Sequence, residues 1–135
     1  MSRGIGGSCR IVEEDEHTVI YEYGGYNLNK PEFRNPDHIC DGLITIDKNA
    51  LVEPEIHTKI KRTQCGKKEL VTKRVLRDVP YVELIESGKI EIQNCSNCWQ
   101  TFPSGKDIIA FHLIFKIFDK YQEDGNLPSS VSYNV

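Results

Sequence analysis

The sequence predicts an α+β fold: a mostly antiparallel sheet with a long C-terminal helix packed across it and two short helices. Three observations carry this. Residues 9–13, 17–23 and 43–47 are β-branched and aromatic runs separated by turn residues, the pattern of paired strands. Residues 104–125 carry start and stop signals around a dense apolar stretch, the pattern of a helix. The full order, β-β-loop-β-α-β-α-β-β-α, is that of a sheet with helices laid on it rather than a repeated βαβ unit.

A chain of 135 residues suits one domain. Residues 1–8, with Gly4, Gly6 and Gly7, read as a flexible start, and residues 9–135 as the domain. Residues 9–13 and 17–23 form a hairpin whose tip is the acidic run Glu13-Glu14-Asp15-Glu16. Residues 24–42 show no period and are rich in Gly, Asn, Asp and Pro. Irregular connections longer than about 12–15 residues are often functional. This one carries Tyr26, Phe33, Arg34 and Asp37, and two rings and an arginine are the types that anchor interfaces.

Leu43 to Asp47 is a strand. A short helix is expected over 53–62: Pro54 suits its first turn, acidic residues its start, basic residues its end, and Ile56 and Ile60 stand four apart. Residues 69–77 favour an edge strand. Asp78 is expected to cap a second short helix that runs through Ser87 and stops at Gly88. Residues 89–93 alternate, with Ile90 and Ile92 inward, and 97–102 suit one more strand. The last helix starts at Ser104, which with Asp107 matches an acidic variant of the capping box, and ends at Gly125. Its apolar residues cover more than half its circumference, leaving His112, Lys116, Asp119, Lys120 and Glu123 on a narrow arc. Such a helix needs cover on more than one side, which permits a homodimer without requiring one. The tail from Leu127 is apolar enough to fold back.

The net charge of −3 is unevenly placed. Residues 59–77 hold eight basic side chains and one acidic, leaving nine basic and 19 acidic elsewhere. Such asymmetry steers an oppositely charged partner, although a charge run also serves as an ordinary solvated face. The basic stretch suits phosphates but lacks the interleaved rings of single-strand binders, and the acidic balance argues against a dedicated nucleic-acid domain. No apolar run reaches about 18 residues, and the N-terminus lacks a secretory pattern. These features point to a cytoplasmic protein.

Five cysteines, an odd number without an export signal, are expected to be reduced. Cys95 and Cys98 have the spacing of half a zinc site, with Cys65, Cys40 or His38 as alternative further ligands. The second matched pair that marks a zinc module is missing, so no metal or other cofactor is expected. No histidine lies in a local catalytic signature, and no phosphate-binding glycine loop follows a strand. The expected protein is not an enzyme.

Three stretches carry a family resemblance: Tyr21-Glu22-Tyr23-Gly24-Gly25-Tyr26-Asn27-Leu28-Asn29, Asp41-Gly42-Leu43-Ile44-Thr45-Ile46-Asp47, and Ile117-Phe118-Asp119-Lys120-Tyr121-Gln122. The chain resembles small bacterial immunity proteins, which neutralise polymorphic or contact-dependent toxins. The resemblance implies a non-catalytic protein that binds a cognate toxin, often a nuclease, by occlusion. The surface that would do so is Glu13, Glu14, Asp15 and Glu16 with Tyr26, Phe33, Arg34 and Asp37. The alternative is a small zinc-binding or nucleic-acid-binding module using Cys95 and Cys98 or the basic stretch.

Overall fold

The computed structural model describes residues 4–134, apart from the side chain of Lys61. Its main sheet has five antiparallel strands in the order β6-β3-β2-β1-β7. These are β1 (Ile5–Glu14), β2 (Thr18–Asn27), β3 (Gly42–Asp47), β6 (Ile90–Gln93) and β7 (Ser130–Asn134). A separate hairpin pairs β4 (Glu55–Arg62) with β5 (Lys68–Val75). One short helix, α1 (Tyr81–Glu86), precedes β6, and α2 (Ile108–Asp124) lies across the sheet. The α+β class stands, with 3-10 turns at Pro31–Phe33 and Lys48–Ala50. None of the described helices is long and apolar enough to cross a membrane.

Alternation builds the core. Val19, Tyr21 and Tyr23 on β2, Ile44 and Ile46 on β3, and Ile90 and Ile92 on β6 point to one face. Ile109, Ala110, Leu113, Ile114, Ile117 and Phe118 on α2 meet them. The wider apolar arc of α2 is covered within the same chain: Tyr81 stacks obliquely on Phe115 at 4.6 Å, and Phe102 meets Phe111 at 4.6 Å. Glycine sets how closely α2 approaches. A Cβ at Gly7 would stand 2.6 Å from both Gly24 O and Ile109 Cγ2, so the start of α2 sits on bare backbone.

Several expectations are corrected. Residues 5–8 are not a flexible start; they extend β1, pairing Gly6 with Tyr26 and Gly7 with Gly25, while residues 1–3 lie outside the described residues. The helix expected over 53–62 is β4. Ile56 and Ile60 share a face in a strand as well as in a helix, because four is an even number, and Thr58 between them completes a β-branched row. The strand expected over 97–102 reduces to one bridge, Thr101 with Asp107. The second short helix is α1, whose entry is Pro80 without a side-chain cap rather than Asp78. The last helix starts at Ile108 instead of Ser104, because Asp107 is its cap: Oδ1 accepts from Ile109 N at 2.9 Å. Its other end is as expected, with Gly125 at φ 77° donating its N–H to Tyr121 O at 2.8 Å.

Candidate functional site

The acidic run sits at the exposed turn between β1 and β2. Asp15 shapes that turn. Its Oδ1 accepts from His17 N at 2.7 Å and Thr18 N at 2.8 Å. These amide donors hold the Asp15 carboxyl below its ordinary range. Glu13, Glu14 and Glu16 are left exposed around it, with Glu14 3.8 Å from Lys48 Nζ.

The other predicted residues lie at the far end of β2. The Tyr26 hydroxyl donates to Asn134 Oδ1 at 2.7 Å, tying it to β7. Phe33 is half-buried, and its carbonyl accepts from Asn97 Nδ2 at 3.0 Å. Arg34 Nε donates to Leu28 O at 3.3 Å, and Asp37 is exposed. Asn35 pins the loop to the sheet through Nδ2, which donates to Gly25 O and Ile39 O, both at 3.1 Å. The eight residues therefore form two patches rather than one. A strand rises about 3.3 Å per residue, so the eight steps of β2 from Thr18 to Tyr26 hold them roughly 26 Å apart.

The cysteines are all free, and Cys95 and Cys98 share one turn beside Asp107. Cys9 and Cys95 are buried, and burial pushes each thiol up to about 12. Burial likewise pushes Cys98 up to about 11. Cys65 is exposed at the β4–β5 turn, and Cys40 is half-buried in the loop before β3. The alternative set Cys40, Cys65, Cys95 and Cys98 is therefore not gathered: no group of three or more His, Cys, Asp or Glu side chains is placed to hold a metal among the described residues.

An open groove of about 970 Å³ runs beside β7. Its lining combines Lys116 and Lys120 of α2 with Cys9, Arg10, Glu22 and His38. Arg10 and Glu22, directly opposite in register, form an ion pair. The Cys9 thiol in this groove is protonated at neutral pH and is no nucleophile there.

The sequence shows the second half of the β4–β5 arm, the edge strand expected over 69–77, but not β4 or its pairing with β5. The described side chains of both strands are exposed, and the two pair with no third strand among the described residues. The arm carries Lys59, Arg62, Lys67, Lys68, Lys73 and Arg74. The local signals are the β-branched row Ile56, Thr58 and Ile60 and Gly66 at the turn, at φ 76°; the pairing of Thr58 with Thr72 and Ile60 with Leu70 is seen only in the structure.

The arm's base is anchored at the C-terminal end of α2. Gln122, fully buried, accepts from Arg77 N at 2.6 Å and donates to Arg77 O at 3.0 Å. Arg74 donates to Gln122 O at 3.3 Å, where a cation also complements the helix dipole. Glu53, just before the arm, accepts a hydrogen bond from Tyr121. The acidic turn lies at this same end, since Lys48 N bonds to His17 O at 2.8 Å and Ile11 N to Ser129 O at 2.9 Å. No family model matches this chain, and comparison with curated proteins and with solved structures finds no match.

Proposed function

We propose that this protein is a non-catalytic binding protein of the immunity type, acting in the cytosol to bind and neutralise a cognate bacterial toxin by occlusion. The observation that carries the reading is the acidic turn. Glu13, Glu14 and Glu16 project from a hairpin end that Asp15 fixes by accepting hydrogen bonds from two backbone amides, those of Thr18 and His17. A rigid cluster of carboxylates complements the cationic cleft with which a nuclease holds its substrate. Such complementarity speeds encounter and covers the site. The patch at Tyr26, Phe33, Arg34 and Asp37 is too distant to share one small footprint, so it would serve as a second contact on a large partner.

The test is pull-down from the native host with the wild-type protein, followed by co-expression with any nuclease so recovered, reading cell survival. Wild type is expected to protect, and Glu13→Lys with Glu16→Lys is expected to weaken protection. Equal protection by both proteins, or none by wild type, counts against the reading.

A nucleic-acid-binding module is the second reading, favoured by the exposed cations of the arm. Counterion release would make such binding fall steeply with salt. Absence of binding to duplex or single-stranded oligonucleotides at low salt removes it.

A further inference from the structure

We propose that the β4–β5 arm is a self-association element: two copies pair about a twofold axis, each laying its arm against the other's acidic turn. This inference does not depend on the toxin reading but uses the same acidic turn, so a copy must leave the dimer before its turn can meet a toxin.

The arm is incomplete by itself. A two-stranded hairpin is marginally stable at best in water without a third strand or a packed layer. By register, Ile56, Ile60 and Leu70 share one face with Thr58 and Thr72. Their exposures are 63%, 70% and 71%, so a row of aliphatic side chains meets solvent. The same face carries Arg62, Lys68 and Arg74 by register. An occupant of that face must therefore be apolar in part and acidic in part.

The chain itself supplies that chemistry. The acidic turn joins Glu13, Glu14 and Glu16 to Val12, which is 49% exposed. It is not met from within: the arm's base is held at Gln122 and Arg77, and no ion pair links the arm's cations to Glu13 or Glu16 among the described residues. Arm and turn leave the same end of the molecule. A twofold axis at that end therefore brings each arm to the other copy's turn, forming two identical contacts that close the assembly.

Sedimentation equilibrium of the full chain at low and high salt tests this with two charge-reversed proteins. One carries Arg62→Glu and Lys68→Glu, and the other Glu13→Lys and Glu16→Lys. All four positions are exposed, so folding should survive, which circular dichroism checks. Wild type is expected to dimerise at low salt and weaken at high salt. Each reversed protein alone should dimerise about tenfold more weakly or not at all. An equimolar mixture of the two should recover a heterodimer, because both contacts again join opposite charges. A monomeric wild type at low salt overturns the proposal, and so does a dimer unaffected by both reversals or a mixture that fails to recover. Arm-dependent capture of a duplex oligonucleotide by a monomer would also overturn it, by assigning the arm to nucleic acid.

Discussion

Gln122 and Arg77 close a two-way clasp: the side-chain amide accepts from the Arg77 N–H at 2.6 Å and donates to the Arg77 carbonyl at 3.0 Å. A buried glutamine on an otherwise apolar helix face therefore has both ends of its amide satisfied. The segment it holds is the exit of the arm. Gln122→Leu should leave both Arg77 backbone groups without this partner, at a cost of about 1–3 kcal/mol. The tryptic sites of the arm should be cut faster, while hydrogen exchange in β1–β3 stays slow. Unchanged cleavage of the arm would show that the clasp does not order it.

Asp107 joins three elements. It caps α2, accepts from the Tyr23 hydroxyl at 2.9 Å, and lies 3.6 Å from the Cys95 thiol. The Tyr23 hydroxyl also accepts from Cys95 N at 3.0 Å. Asp107→Ala should cost about 1 kcal/mol for the cap and about 1–3 kcal/mol for the buried hydroxyl left without its acceptor. Urea unfolding followed by fluorescence of Trp99, the only tryptophan, measures the sum. A loss below 1 kcal/mol would count against a buried network here.

The thiols differ in exposure, which sets their chemistry. At neutral pH, iodoacetamide should modify exposed Cys65 first, whereas Cys9 and Cys95 should react only after unfolding. Mass spectrometry of timed digests reads the order. Early labelling of Cys9 would contradict its placement in the core.

The same burial fixes a pH response. The Cys9 and Cys95 thiols rise from 9.0 to about 12 on folding. Their contribution to stability is complete below pH 9 and is lost as pH climbs toward 12. Asp15 works in the opposite direction. Its folded value is depressed by the His17 and Thr18 amides, so its contribution is complete above the ordinary carboxylate range and is lost as pH falls through the lowered value. Thermal melts of wild type and a Cys9→Ala, Cys95→Ala protein across pH 7–11 isolate the thiol effect. Parallel losses in both proteins would remove it.

Much of the fold was legible because one face of the main sheet is buried. Alternation at Ile90 and Ile92, and the β-branched runs of β1 to β3, report that face directly. The dense apolar circumference of α2 foretold cover on several sides, which Tyr81 and Phe102 supply. The arm was misread in its first half because no buried face imposes a period on it. Charges at both ends of 53–62 satisfied helix rules, while the pairing of Ile60 with Leu70 is a long-range fact. The candidate surface was legible residue by residue but not as geometry. Nothing local in the sequence reveals that β2 places Glu16 and Phe33 at opposite ends.

The central claim is that the protein acts by presenting its acidic turn to a protein partner. Titration calorimetry against a toxin nuclease recovered from the native host by pull-down tests this most directly, comparing wild type with Glu13→Lys and Glu16→Lys while Asp15 is kept to preserve the turn. The expected result is a complex in which the two reversals raise Kd about tenfold or more, with the difference shrinking at high salt. A complex of unchanged affinity at every salt concentration, or no complex with wild type, would contradict it.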